Sequence, residues 1–73
     1  MLKKGAKGEP VKALQDLLNL RLSQKLGDKF VRLDTDGSFG GKTLAAVELF
    51  QELYGLEVDG SVGLATWTEL LNG

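Results

Sequence analysis

The 73-residue sequence has no cysteine and no histidine. Without cysteine there is no disulfide framework, no thiolate zinc site and no cysteine nucleophile, and the redox compartment stays open. Without histidine the commonest general base and the commonest neutral metal ligand are missing, so carboxylates and hydroxyls are the only side chains left for catalysis. Long apolar runs are missing too. No stretch approaches the roughly 18 apolar residues of a membrane span, and the lysine-bearing residues 1–8 lead into no apolar core, so neither an anchor nor a signal peptide is expected, and no membrane partner.

What is present suits a small folded unit. Apolar residues make up 42% of the chain and charged residues 26%, too apolar a balance for disorder. A chain this short buries only roughly 60% of its unfolded surface, which leaves room for one core and predicts a single domain over residues 1–73. The net charge of −1 conceals an asymmetry. Residues 1–32 carry eight Lys or Arg against three acids, and residues 33–73 carry one against seven. Two solvated faces explain this; a basic patch for an anionic envelope polymer is the sharper alternative.

Helical spacing begins after Glu9-Pro10, where proline is pre-organised for a first turn. Val11, Leu14, Leu18 and Leu22 form a stripe that Leu17 and Leu20 widen, and the pattern fades at Leu26-Gly27. Residues 30–34 alternate weakly and lead to Asp36-Gly37, a tight-turn dipeptide. A second helix starts at Gly40 or Gly41, carries Val47, Phe50 and Tyr54 on one face, and stops at Gly55. After the short extended residues 56–58, Asp59-Gly60 turns again, and a last helix carries Trp67, Leu70 and Leu71 to Asn72-Gly73. The fold class expected is all-α: a three-helix bundle with short extended segments and Asp-Gly loops before helices 2 and 3.

The two loops repeat at an offset of 23 residues. Asp36, Gly37, Ser38, Gly40 and Thr43 align with Asp59, Gly60, Ser61, Gly63 and Thr66, which makes five identities in eight positions. A weaker copy of the spacing opens the chain at Gly5, Gly8 and Val11. The glycines allow positive φ and close backbone approach, the aspartate can accept loop N–H bonds, and the threonine can bond back from the first helical turn.

The order Gly5-x-x-Gly8-x-x-Val11-x-x-Leu14-Gln15, Asp36-Gly-x-Phe39-Gly40-x-x-Thr43, Val47-x-x-Phe50-Gln51 and Val58-Asp59-Gly60-x-Val62-Gly63-x-x-Thr66-Trp67-x-x-Leu70 resembles the peptidoglycan-binding-like domain family over nearly the whole chain. The resemblance implies a three-helix, non-catalytic module that targets an attached amidase, carboxypeptidase, spore-cortex enzyme or phage endolysin to peptidoglycan glycan or stem peptide. It implies an extracellular, cell-wall or periplasmic location, or a released phage lysin. Residues 23–33 depart from the family pattern by forming a longer, charged connection.

Candidate ligand-binding residues are Ser38, Phe39, Gln51, Tyr54 and Ser61, with Val62 beside them. Aromatic faces can stack on sugars, although Phe50 and Trp67 at helical spacing read as core. Gln15 and Gln51 occupy equivalent places, and a side-chain amide can satisfy a loop N–H and a loop carbonyl together; hydrogen-bonding a stem peptide or N-acetyl group is the alternative for Gln51.

Asp34-x-Asp36-Gly37 looks like the start of a calcium loop, but Ala45 stands where the bidentate glutamate belongs, so no metal is expected. Asp34, Asp36, Glu48, Asp59 and Glu69 are absorbed by turns and helix faces rather than forming a glycosidase pair, so no catalytic residue and no cofactor are expected.

Two rival functions follow. One is intramolecular docking or regulation of a metallopeptidase, since metalloprotease prodomains share a similar three-helix fold, although they block zinc with a cysteine that this chain lacks. The other is nucleic-acid binding, disfavoured because residues 64–71 carry Glu69 and no basic residue. The expected partners are peptidoglycan and an attached catalytic domain, with no nucleic acid, and the chain is expected to be monomeric.

Overall fold

The computed structural model describes residues 1–72. Helix α1 spans Glu9–Leu26, α2 spans Gly41–Leu53 and α3 spans Leu64–Asn72, with one 3₁₀ turn at Gly27–Lys29. The all-α three-helix architecture read from the sequence is therefore the one formed, and no strand occurs among the described residues. Of the expected stop at Asn72-Gly73, Gly73 lies outside the described residues.

Local chemistry sets the helix ends. Pro10 sits in the first turn of α1, and Gly27 ends that helix at φ 60° with its N–H donating to the Ser23 carbonyl. At the end of α2, Gly55 adopts φ 70°. The Leu56 N–H then reaches back to the Gln51 carbonyl at 2.8 Å and the Gly55 N–H to that of Glu52 at 3.3 Å. That pair of bonds is a Schellman closure, which satisfies carbonyls the helix would otherwise leave open.

The helices share one core of Val11, Leu14, Leu18 and Leu22 from α1, Ala46, Val47 and Phe50 from α2, and Leu70 from α3. Each Asp-Gly loop adds one plug, Phe39 or Val62, at the same position of the repeat. Burying such side chains contributes about 1.5–3 kcal/mol each, so the loops are tied to the fold by apolar area as well as by hydrogen bonds. The α1 stripe is narrower than its spacing suggests. Leu20 is 50% exposed because α2 and α3 cover only one side of α1, and Leu71 likewise lies on the outer face of α3. Trp67 is half-buried against the core.

The N-terminal residues strap the two loops together. Leu2 and Val62 exchange backbone bonds at 3.2 and 2.7 Å, the Gly8 N–H donates to the Gly37 carbonyl at 2.9 Å, and the Phe39 N–H donates to that of Ala6 at 2.9 Å. The weak opening copy of the repeat thus has a physical use: Gly5 and Gly8, at φ 103° and 116°, let the strap bend into contact with the first loop. Among the described residues no helix is long and apolar enough to cross a membrane.

Candidate binding surface at the two Asp-Gly-Ser loops

Each loop is read by a glutamine from a helix packed behind it. Gln15 Oε1 accepts the Gly37 N–H at 2.9 Å, while its Nε2 faces the Ser38 carbonyl at 3.0 Å, Asp36 Oδ1 at 3.1 Å and Thr43 Oγ1 at 3.1 Å. Gln51 repeats the pattern: its Oε1 accepts the Gly60 N–H at 3.1 Å, and its Nε2 faces the Ser61 carbonyl and Asp59 Oδ1, both at 2.9 Å, and Thr66 Oγ1 at 3.2 Å. The side-chain amide therefore bonds a loop N–H and a loop carbonyl together, the structural alternative open at the sequence level. Thr43 and Thr66 reach the loops through these amides rather than directly.

The aspartates complete each loop. Asp36 Oδ1 accepts the Ser38 N–H and Asp59 Oδ1 accepts the Ser61 N–H, both at 2.9 Å. These backbone bonds first, and the glutamine amides second, hold both carboxyls below their ordinary value of 3.8. A general acid needs the opposite shift, and both carboxylates are spent on turn geometry. Among the described residues no cluster of three or more metal-ligating side chains forms.

The five candidate residues do not converge on one site. Phe39 is 2% exposed and serves as a core plug, and Gln51 is 1% exposed with its amide committed to the loop. Val62 is buried in the same way as Phe39. Phe39 and Val62, each followed by a glycine, turn inward to fill the core, and Gln51 points from α2 into the second loop. Ser38 is exposed and Ser61 half-exposed, one on each loop. Tyr54 lies beyond the far end of α2, stacked on Phe50 with ring centroids 4.4 Å apart and with Lys25 Nζ 5.1 Å from its ring centre.

Open space does adjoin the loops. Beside Ser38 lies a recess of about 200 Å³, and beside Ser61 one of about 220 Å³. Asp36, Ser38, Gly40 and Thr43 line the first, and their repeat partners Asp59, Ser61, Gly63 and Thr66 line the second. The sequence repeat is therefore also a repeat of surface shape. The first recess continues past Leu33, Asp34 and Lys42 into a groove of about 370 Å³ between residues 30–34 and the face of α2 that carries Ala45, Ala46 and Leu49.

Two polar residues that position this surface escaped the sequence reading. Asn19, one turn after Gln15, holds the groove wall: its Nδ2 donates to the Leu33 carbonyl at 3.0 Å and its Oδ1 accepts the Leu33 N–H at 2.7 Å. An asparagine between Leu18 and Leu22 in an apolar stripe was the available signal. Arg21, 7% exposed, donates from Nε to the Leu70 carbonyl at 3.0 Å and from Nη2 to that of Glu69 at 3.3 Å, capping α3. Nothing local in the sequence announces a contact 49 residues away.

Comparison with known proteins agrees with this framework. Residues 7–70 match the family model described as "Putative peptidoglycan binding domain". An uncharacterized protein of Kitasatospora aureofaciens is 46% identical over 70 residues, covering 96% of this chain and 54% of that protein. The zinc D-Ala-D-Ala carboxypeptidase of Streptomyces albus G is 41% identical over 69 residues, covering 94% of this chain and 25% of that protein. The crystal structure of the Burkholderia AP3 phage endolysin superposes with a TM-score of 0.80 at 38% identity, covering 99% of this chain and 25% of that one. The chain thus spans about half the length of the first of these relatives and a quarter of the second. With a loop framework that spends its carboxylates on structure and a family match over most of its length, this chain belongs to the peptidoglycan-binding domain family, as a non-catalytic module.

Proposed function

We propose that the module holds peptidoglycan, by its glycan or its stem peptide, in the groove along α2, and so concentrates an attached hydrolase on its substrate. The observation that carries this reading is the groove itself. It is open, it runs for about 370 Å³ into the recess beside Ser38, and it adjoins loops whose buried polar groups are already satisfied. A surface of this kind is rigid before the ligand arrives, which lowers the ordering cost of binding.

Ser38 is the motif residue placed to contact ligand at this groove. Ser61 occupies the repeat-related recess, and Tyr54 is a more remote contact at the other end of α2. The relatives named a carboxypeptidase and an endolysin are each about four times as long as the matched part, the arrangement expected where a targeting module sits beside a catalytic one. The module acts as a monomer at the cell wall, outside the cytoplasm or after release with a phage lysin, and needs no cofactor.

Amide chemical-shift mapping with defined soluble muropeptides tests the site. Saturable shifts at Leu33, Ser38, Lys42 and Ala45 are expected. Shifts confined to the Tyr54 end of α2, or none at all, would refute it.

A further inference from the structure

The repeat gives the molecule two grooves, and their linings have diverged. The first, of about 370 Å³, is lined by Leu33, Lys42, Ala45, Ala46 and Leu49. The second, of about 410 Å³, is lined by Leu56, Ala65, Thr68, Glu69 and Asn72, each 23 positions further on. Size is shared and chemistry is not. The first has an aliphatic floor, with Arg32, Lys42 and Asp34 as charged groups in its lining. The second has exchanged Lys42 for Ala65, Ala46 for Glu69 and Leu49 for Asn72, and among the described residues its lining carries no cation.

We infer that, of the two grooves, the first is the ligand site and that it takes a peptide with small apolar side chains and a free carboxylate, the stem peptide rather than the glycan. The inference rests on the wall-binding function proposed above and names the part of the polymer that is read. A sugar would lay hydroxyls on Ala45, Ala46 and Leu49, which return no hydrogen bonds, and each hydroxyl so buried loses its water partners. Aromatic platforms are scarce there as well. Phe39 and Phe50 are in the core, Tyr54 is stacked on Phe50, and only the half-buried Phe30 lines the groove.

A stem peptide suits the same lining. Alanine methyl groups match the aliphatic floor, a carboxylate finds Arg32 or Lys42, and the amine of a diamino residue finds Asp34. Val31 then has a reason for its position. It is 85% exposed at the groove, a large apolar side chain that a bound peptide would cover. The wall that makes the first groove different, Phe30 to Leu33, comes from the long charged connection between α1 and the first loop, and Asn19 fixes that wall in place.

Calorimetric titration of the whole chain separates the two ligands. The probes are the synthetic pentapeptide L-Ala-γ-D-Glu-L-Lys-D-Ala-D-Ala and a peptide-free GlcNAc–MurNAc disaccharide. The peptide should bind and the disaccharide should not. The double variant Arg32→Gln/Lys42→Gln should weaken peptide binding about tenfold, the scale of one lost charge-assisted contact. Thr68→Ala in the second groove should leave it unchanged. All three side chains are exposed, so thermal midpoints near that of the parent chain confirm folding.

Binding of the disaccharide in place of the peptide, or peptide binding indifferent to Arg32 and Lys42, overturns the inference. Retention on intact sacculi, read in parallel, separates it from the broader function. A chain retained on sacculi but blind to the peptide loses only the stem-peptide assignment. A chain that binds neither loses both.

Discussion

The backbone N–H of Gly60 donates to Gln51 Oε1 at 3.1 Å, and both groups are buried, so the second loop is held by a bond that water cannot replace. Gln15 and Gly37 repeat the contact at 2.9 Å in the first loop. Replacing Gln51 by alanine strands the buried Gly60 N–H and Thr66 hydroxyl, and replacing Gln15 strands the buried Thr43 hydroxyl and leaves the part-buried Gly37 N–H without its partner. Gln15→Ala and Gln51→Ala should each cost about 2–3 kcal/mol, read as a fall in the urea midpoint. A loss below about 0.5 kcal/mol would mean that the loops do not depend on these amides.

Gly60 also tests how closely the loop approaches α2. It sits at φ +72°, and a Cβ there would lie 2.7 Å from Leu44 Cδ1. Gly60→Ala should destabilise the chain by at least roughly 1–2 kcal/mol, from backbone strain before any steric cost. Gly41, the first residue of α2, has nothing within 4 Å of an added Cβ. Gly41→Ala should therefore be neutral or stabilising by up to about 1 kcal/mol, so its thermal midpoint should stay at or above that of the parent chain while that of Gly60→Ala falls.

Arg21 carries a different prediction, because its guanidinium is the partner of two carbonyls at the end of α3. Arg21→Met keeps apolar bulk and leaves the Leu70 and Glu69 carbonyls without that donor. A loss of about 1.5–3 kcal/mol is expected, with faster hydrogen exchange concentrated in α3. Arg21→Lys should fall between, since an ammonium cannot present the same fork.

Stability should fall in acid through the two loop aspartates. Their folded-state carboxyls lie below the ordinary value of 3.8 because the Ser38 and Ser61 N–H groups, and then the glutamine amides, favour the charged form. The unfolded chain therefore takes up protons first. The contribution is complete above the unfolded value and is lost as pH drops through the lower folded values. Urea midpoints compared at about pH 6 and about pH 3 should converge in an Asp36→Asn/Asp59→Asn variant, which has no proton to gain at these positions. An unchanged acid sensitivity in that variant would assign the effect to other carboxylates.

The sequence revealed the framework better than the surface, for a physical reason. Helix ends at Gly27 and Gly55, the loop role of the aspartates and the paired glutamines all depend on neighbours close in the chain or on a repeat that can be aligned. Phe39 and Val62 do not. They look like variable loop positions, and only the gap left between the packed helices turns them inward. The same limit hid Arg21, whose partners lie on another helix. Residues 30–34 showed too little alternation to suggest a groove wall, because that wall is fixed by Asn19 rather than by strand pairing. The exposure of Ser38 was legible because a residue beside a tight turn, with its N–H engaged by Asp36, leaves its side chain facing solvent.

Co-sedimentation with purified sacculi tests the central claim most directly. At low salt the chain should pellet with sacculi in a saturable manner, and the Arg32→Gln/Lys42→Gln variant, folded to the same thermal midpoint, should pellet less. A folded chain that stays in the supernatant at every sacculus concentration would contradict the account.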